Sequence, residues 1–475
     1  MPTSENDDEV TANPPPLAIP SVRGSPLGTT HVGTHVAAIN ASPPSLSNGL
    51  QEACLIRYYV IHLANAFDTT DRDAHFHITV PQRAMHSPVL LYAICTASAR
   101  HLTSLWYRRE QSAIISFDDI PLPDLNADSA IHYHNVCLSL LKDFTNTPAS
   151  EANAEERAEA LAAAVILRFY EQLDTSLTGL DVEAYQNVVH TVICTHHIES
   201  VFSLPNIDKQ HRDSEGRLIL ADGLRSSACL IALRQEIWSV LLYQRPFRLP
   251  VSSHLDYTQL SDADDFIWTN RMILWCADVL RFCFGPDTVT SQVYSTNTLA
   301  FERWDAMKAF EEAWDSSPPP CFNPLYYAPP NRARGAIFPT IWHYNSACQV
   351  QCLQHLELGR MLLAVYNPRR QRVGLGSIAS DKAIEEQLRQ SSLLLCGLAL
   401  ANTNSISGMT TAAIGISIGG EYFYGLDEQD AIAKFLATLE AEHAWPTQTI
   451  VLALKHAWSL QRSSSPKIPY TVPPM

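Results

Sequence analysis

The stretch that decides the fold is LRSSACLIALRQEIWSVLLYQRPFRLP, residues 224–250. At 3.6 residues per turn its apolar side chains cover most of the helix circumference instead of one stripe. A helix that is apolar on most sides is buried on most sides, so we expect it in the middle of a helical body. Pro246 ends this helix, because it lacks an N–H group and disfavours helical geometry at Arg245.

Two charges, Arg234 and Glu236, lie in the middle of this apolar helix. They are two positions apart and cannot face each other along the helix. Neither has an opposite charge four residues away. Each therefore needs a partner from elsewhere in the fold.

Composition narrows the class of protein. The chain has 475 residues, of which 46% are hydrophobic, and its formal net charge is −16. This length allows a large core, and the negative charge disfavours binding to nucleic acid through the protein's own surface. No apolar run reaches the roughly 18–20 residues that span a bilayer, and the acidic N-terminus does not resemble a secretory signal. The eleven cysteines mostly lie in apolar segments and indicate buried thiols in a reducing compartment.

Helical periodicity recurs along the chain, whereas alternation with period two is nearly absent. Ser87 and Pro88 form a typical helix start, and Asn367-Pro368 ends a long helix predicted from Phe338 to Tyr366. The other predicted helices cover about 50–67, 128–144, 155–173, 182–198, 263–283, 300–314, 381–402, 428–442 and 448–460. Residues 108–126 and the Pro-rich 316–335 are predicted to lack regular structure, with a turn at Asp68–Asp73, and 408–420 fits a strand or a loosely wound helix.

These patterns predict an all-α fold with one large helical domain and no internal repeat. Residues 1–48 are rich in Pro, Ser and Thr and have no apolar period, so we expect a disordered tail. The helical domain is predicted over 49–462. Residues 463–475 are predicted to form a flexible tail.

The spacing of cysteines and histidines argues against zinc. Structural zinc sites need closely spaced pairs such as C-x2-C, and the sequence contains no such pair. Cys348 and Cys352 are predicted to be core residues of a helix. The pairs His196-His197 and His132/His134 are predicted to lie on helix surfaces.

Acidic residues do not fit the metal motifs of terpene synthases, which hold Mg²⁺ and a diphosphate. Neither Asp118-Asp119 nor Asp262, Asp264 and Asp265 match DDxxD. Asn135, Ser139 and Asp143 approach the second motif but carry Asp in place of Glu, and they follow the acidic pair too closely. Caps and solvated helix faces explain these residues better.

The remaining motifs are weak. Gly374-Leu375-Gly376 and Gly415 with Gly419-Gly420 lack the Lys-Ser/Thr of a phosphate-binding loop. The basic cluster Arg369, Arg370 and Arg372 fits a nuclear-import patch, although a solvated loop explains it better. No Ser or Cys has a nucleophile signature. The sequence thus predicts no catalytic, cofactor-binding or metal-ligating residues and no cofactor.

Several segments together resemble the fungal-specific regulatory domain of binuclear zinc-cluster transcription factors, in the branch called ARCA-like. They occur in the family's order and span roughly 50–460. The segments are Leu55–Phe67 followed by DTTDRDAHF, Val80–Ala84, ASARHL (97–102), ILRFYEQLD (166–174), ALRQEIWSVLLYQRPF (232–247), LQHLELGRMLLAVYNP (353–368), CGLALAN (396–402) and Trp445-Pro446-Thr447.

The resemblance implies a nuclear, all-helical regulatory domain that controls a metabolic or secondary-metabolite gene set. It implies protein partners (another transcription factor or a coregulator, or a second copy in a homodimer) or a small-molecule effector. The six cysteines of the family's DNA-binding module have no counterpart, since the first cysteine is Cys54. We therefore expect no direct specific DNA binding by this chain and no membrane association. Two alternatives are a helical enzyme of a biosynthetic pathway and a reading frame that lacks an upstream exon.

Overall fold

Helices dominate the computed structural model, which describes residues 49–109, 114–146, 153–178, 183–195, 202–204, 207, 220–252, 255–285, 296–344 and 346–464. The first part of the chain contains α1 (Leu50–Tyr58), α2 (Ala64–Phe67), α3 (Thr79–Ala84), α4 (Pro88–Arg108), α5 (Ala127–Asn146), α6 (Ala154–Thr178) and α7 (Ala184–Thr195). The second part contains α8 (Leu220–Tyr243), α9 (Asp265–Phe284), α10 (Thr296–Ser316), α11 (Ser346–Val365), α12 (Ser377–Leu400), α13 (Ile406–Gly419), α14 (Leu426–His443) and α15 (Gln448–Ser464).

The all-α prediction is confirmed. The tails predicted at the two ends are not tested, since 1–48 and 465–475 lie outside the described residues. A π-helical turn, Tyr59–Leu63, joins α1 to α2 within the predicted first helix. Among the described helices, none combines the length and the apolarity needed to cross a bilayer.

The central position predicted for residues 224–250 is confirmed. Helix α8 packs against α6, α7, α9 and α13. Every residue from Ser227 to Leu241 is buried. The helix ends at Tyr243, ahead of Pro246, and Gln244 has a positive φ of 47°. This helix therefore lies at the centre of the core and can place different side chains on opposite flanks.

Three segments differ from the sequence-based expectation. Strands β1 (Ile115–Phe117) and β2 (Ile120–Leu122) form an antiparallel hairpin within the predicted loop 108–126. Strand β3 (Tyr326–Ala328) lies in the Pro-rich segment and pairs with β4 (Thr340–Trp342). The long helix predicted from Phe338 was therefore placed too early, because its apolar start belongs to β4.

The ambiguous stretch 408–420 is helical and lies within α13 and the turn that follows it. Its glycines allow α13 to pack closely against α12. A Cβ atom at Gly415 would overlap the side chain of Leu395, and one at Gly419 would crowd Ser392 and the backbone of Leu388. Close helix packing thus explains a composition that resembles a strand.

Candidate functional site

A pocket lies beside the middle of α8. Its enclosed cavity has a volume of about 20 Å³, which is room for roughly one water molecule. With its opening to solvent the pocket comprises about 380 Å³ of space between atoms. We call it the central pocket, and its lining residues are Ala66, Phe67, Phe169, Gln172, Ile231, Arg234, Gln235, Trp238, Ile406, Ser407, Thr410 and Trp445.

Helical spacing explains how these side chains meet. Residues 231, 234, 235 and 238 are related by i, i+3, i+4 and i+7 and share one face of α8. Phe169 with Gln172 on α6, and Ser407 with Thr410 on α13, are i, i+3 pairs that face the same space. Trp445 follows Ala444, whose left-handed backbone (φ 55°) ends α14 and redirects the chain. Four of the segments that carry the family resemblance contribute to this lining.

Most of the polar side chains in the central pocket carry an unpaired atom. Within the described part of the chain, seven buried side-chain atoms of the lining have no hydrogen-bond partner: Gln172 Nε2, Arg234 Nε, Gln235 Oε1, Trp238 Nε1, Ser407 Oγ, Thr410 Oγ1 and Trp445 Nε1. All seven residues are at most 8% exposed. A buried polar atom without a partner costs about 1–3 kcal/mol, so their concentration at one cavity marks it as a candidate binding site.

Arg234 brings a positive charge to the central pocket. Its Nη2 donates to the carbonyl oxygen of Phe67 at 2.6 Å, and its Nη1 donates to the Thr69 hydroxyl. Burial lowers the pKa of this guanidinium to about 10, an effect that Asp68 and Asp71 oppose. The group still carries its charge at neutral pH. The sequence predicted that Arg234 needs a partner from elsewhere in the fold. The partners in the structure are two neutral oxygens, those of Phe67 and Thr69.

The turn that presents Phe67 and Thr69 is held by two aspartates. Asp68 accepts hydrogen bonds from the backbone N–H groups of Phe76 (2.9 Å) and His77 (2.6 Å). Burial raises the pKa of the Asp68 carboxyl to about 7. Asp71 accepts from the backbone N–H groups of Asp73 and His75. The predicted turn is confirmed, and these contacts explain the segment DTTDRDAHF as the support for the Arg234 contacts.

The same turn contains a group that could hold a metal ion. Ligand atoms of Asp71, Asp73 and His75 lie within 4.8 Å of one another. However, both oxygens of Asp71 accept backbone hydrogen bonds, and one of them also lies 2.8 Å from Nδ1 of His75. These contacts account for the cluster as part of the turn, and the prediction that the chain holds no metal stays a prediction.

The opposite flank of α8 has a different character. Glu236, fully buried, accepts from the Arg245 guanidinium at 2.8 and 2.7 Å, from Gln186 Nε2 at 2.9 Å and from the backbone N–H of Arg248 at 2.7 Å. Arg245 also pairs with Glu183 at 2.6 Å. We call these five residues the carboxylate network. The prediction that Glu236 finds a partner beyond its own helix is confirmed.

The acidic motifs weighed for metal chemistry lie apart from the central pocket. Asp118 and Asp119 form the turn between β1 and β2, where both have positive φ, and Asp118 pairs with Arg57. Asp264 caps α9 by accepting from the backbone N–H of Ile267 at 3.0 Å. Asn135, Ser139 and Asp143 lie on the exposed face of α5. Hairpin, cap and surface roles account for them.

The remaining candidates also have local explanations. Cys348 and Cys352 are buried on α11, and the Cys348 thiol lies 3.2 Å from the Thr269 hydroxyl. In the basic cluster, Arg369 pairs with Asp305, and Arg370 pairs with Asp381 at 2.8 Å.

The two histidine pairs have separate outcomes. His134 Nε2 lies 2.5 Å from the hydroxyl of Tyr185, and His132 is on the surface of α5. His196 and His197 lie outside the described residues.

Sequence reasoning missed most of the central pocket. Gln172 and Trp445 entered only as parts of the resemblance, and Ser407 and Thr410 received no role. One signal was present, because Ser407 and Thr410 are polar residues at i, i+3 spacing within a mainly apolar helix. Their convergence with Trp238 depends on chain segments that are far apart in sequence.

Comparison with known proteins supports the resemblance. Residues 54–280 match the family model described as "Fungal specific transcription factor domain". The chain is 19% identical over an alignment of 505 positions to "Transcription activator AMTR1" of Alternaria alternata, and the alignment covers 87% of this chain. It spans 64% of that relative's length. No solved structure matches the chain. Residues 54–280 are therefore similar to a fungal specific transcription factor domain, which agrees with the family resemblance of the sequence, and the ARCA-like branch stays a prediction.

Proposed function

We propose that this chain regulates transcription in the nucleus, as the regulatory domain of a zinc-cluster-type factor of the ARCA-like branch. The observation that carries the proposal is the family match over residues 54–280. The name of the relative, a transcription activator, supports the same reading. The gene set under its control is proposed to be metabolic or secondary-metabolic, as the resemblance implies.

Regulation by this chain acts through protein contacts or a bound effector. The chain contains no C-x2-C pair and has a formal net charge of −16, so electrostatics oppose its association with duplex DNA. We therefore propose that the residues of this chain do not bind DNA specifically. The partner is another transcription factor, a coregulator or a second copy of the chain.

An exposed aromatic surface beside strands β3 and β4 supports a protein partner. Leu325, Tyr326, Tyr327, Trp342 and Tyr344 are all exposed. The rings of Tyr326 and Trp342 contact each other with centroids 5.0 Å apart. Exposed tyrosine and tryptophan side chains are typical of protein interfaces. We call these five residues the aromatic surface.

The chemistry of the central pocket favours a regulator over the alternative of a helical enzyme. Its lining contains no carboxylate, histidine or cysteine. Metal-assisted or acid–base chemistry needs such groups to converge at the site. The two hydroxyl groups, on Ser407 and Thr410, have no general base beside them in this lining. The lining thus lacks the groups that would transform a bound molecule.

The experiment fuses the full chain to an unrelated DNA-binding domain and measures a reporter gene in a fungal host. We expect altered transcription. We also expect the change to shrink when Tyr326→Ser and Trp342→Ser are combined. Leu452→Ser on α15, which is exposed and distant in sequence, is the matched control. An inert fusion, together with metal-dependent turnover of a small substrate by the purified chain, would support the enzyme instead.

A further inference from the structure

We propose that the central pocket binds a small monocarboxylic acid with a short apolar body. This inference rests on the proposed function, because such a ligand would be the effector of the regulatory domain. It is carried by three properties of the lining: the type of its unpaired polar atoms, its buried charge and its apolar walls.

The unpaired atoms are mainly hydrogen-bond donors. Arg234 Nε, Trp238 Nε1 and Trp445 Nε1 can only donate, and the Gln172 amide nitrogen is a further donor. The hydroxyl groups of Ser407 and Thr410 can adopt either role. Gln235 Oε1 is the one obligatory acceptor in this set. A carboxylate accepts at about four lone-pair positions and donates at none, so it matches this set better than an alcohol, an amine or an amide.

The charge of the central pocket is positive, which is the sign that attracts a carboxylate. Arg234 is 2% exposed, and its guanidinium donates to the neutral oxygens of Phe67 and Thr69. The nearest acidic group in sequence to these contacts, Asp68, directs its two oxygens to backbone N–H groups of Phe76 and His77. A buried charge is unfavourable unless an opposite charge compensates it. Asp68 and Asp71 stabilise the Arg234 charge through space but accept none of the hydrogen bonds described above for it, so an anionic ligand would add a direct partner.

The apolar walls of the central pocket determine what the rest of the ligand can be. Phe67, Phe169, Ile231 and Ile406 are apolar and surround the polar atoms. The enclosed cavity of about 20 Å³ is too small for a large head group. In our proposal the body of the ligand extends from this cavity toward solvent, along the apolar walls. A single carboxylate on a short aliphatic or aromatic body fits both requirements, whereas a dicarboxylate would place a second charge against these apolar walls.

The test titrates the purified full chain with sodium hexanoate and sodium benzoate, and follows heat and tryptophan fluorescence. The uncharged partners of hexanoate, 1-hexanol and hexanamide, are titrated in the same way. We expect the acids to bind at least about tenfold more tightly than the alcohol and the amide, since a hydrogen bond to a charged group exceeds a neutral one by about that factor. Fluorescence should change, because two tryptophans line the pocket.

Tryptophan-to-phenylalanine variants locate the site. Trp238→Phe and Trp445→Phe each remove one unpaired N–H, and each should weaken hexanoate binding about tenfold. Trp458→Phe is the control, because Trp458 Nε1 donates to the carbonyl oxygen of Gly420 at 3.0 Å, outside the pocket. The affinity of the Trp458→Phe variant for hexanoate should match that of the original chain. Circular dichroism of all variants shows whether the helical fold is kept.

Three outcomes would overturn the inference: no binding of either acid at millimolar concentration by the folded chain, equal affinity for hexanoate and 1-hexanol, or equal weakening by Trp458→Phe and Trp238→Phe. The reporter fusion separates this inference from the proposed function. An active fusion without acid binding refutes the ligand alone. Acid binding with an inert fusion refutes the regulatory function alone.

Discussion

The two flanks of helix α8 bury opposite charges in opposite ways. On one flank, the carboxylate of Glu236 meets the Arg245 guanidinium and further donors, all within 2.9 Å. On the other flank, Arg234 contacts neutral oxygens and lies among unpaired polar atoms. The residues are two positions apart on the same helix. A carboxylate whose two oxygens are both paired indicates a structural role, whereas a concentration of unpaired donors marks a candidate place for a ligand.

The largest expected effect comes from breaking the carboxylate network. Glu236→Ala removes the buried acceptor of the Gln186 amide and of the Arg248 backbone N–H, and it removes one of the two carboxylates that pair with Arg245. We expect it to lower the free energy of unfolding by about 3–5 kcal/mol, measured by urea denaturation. Glu236→Gln keeps the shape of the side chain and one acceptor oxygen, so its free energy of unfolding should fall clearly less. Equal midpoints for Glu236→Ala and the original chain would show that the network contributes nothing to stability.

Acid should weaken the fold through buried neutral histidines. Burial lowers the pKa of His355 to about 4 and that of His101 to about 3, and the Arg234 charge also lowers the pKa of His355. The unfolded chain binds these protons near pH 6.5. Each histidine therefore contributes stability that is complete above pH 6.5 and is lost as the pH falls toward the folded-state pKa, by about 1.4 kcal/mol per pH unit.

The variant His355→Gln isolates one of these contributions. Between pH 6.5 and 5 its free energy of unfolding should fall by roughly 2 kcal/mol less than that of the original chain. Denaturation curves at several pH values measure the two slopes. Parallel slopes would contradict a buried, neutral His355 beside Arg234.

Replacing Arg234, the other charged residue at the centre of α8, should lower the free energy of unfolding by less than replacing Glu236. Arg234→Met leaves the Phe67 carbonyl and the Thr69 hydroxyl without their donor, but it also removes a buried charge that has no carboxylate partner among the described residues. We expect a loss of about 1–2 kcal/mol. Urea denaturation beside Glu236→Ala tests the order. A loss larger than that of Glu236→Ala would reverse our comparison of the two flanks.

The smallest expected effect is the difference in stability between two tryptophan variants. Trp238→Phe and Trp458→Phe remove the same volume from buried positions, but only Trp458 Nε1 has an acceptor, the Gly420 carbonyl at 3.0 Å. We expect Trp458→Phe to destabilise the protein by about 1 kcal/mol more. Thermal or urea denaturation of the two variants gives this difference directly. If the two losses are equal, the Trp238 N–H is paired in the folded protein.

Local pattern was sufficient to predict most of the helices, although not α3, and the central place of α8, because burial on all sides is visible in the order of apolar residues. It was insufficient at Phe338–Trp342, where an apolar run before a helix pairs as a strand with Tyr326–Ala328. The glycines Gly415 and Gly419 made α13 look like a possible strand. They are needed for close packing against α12, a tertiary contact that local sequence does not show. The central pocket could not be predicted, because no local pattern brings Thr410 and Trp445 to Trp238.

The lining of the central pocket also constrains the order of events during synthesis of the chain. It joins α2, α6 and α8 to α13 and to Trp445, which follows α14. Helix α8, with its apolar circumference, leaves the ribosome long before residues 406–445 exist to cover one of its flanks. Contacts between such distant segments form slowly, and exposed apolar surface favours aggregation in the meantime. A nascent chain that stops before residue 406 should therefore depend on chaperones in a way that the finished chain does not.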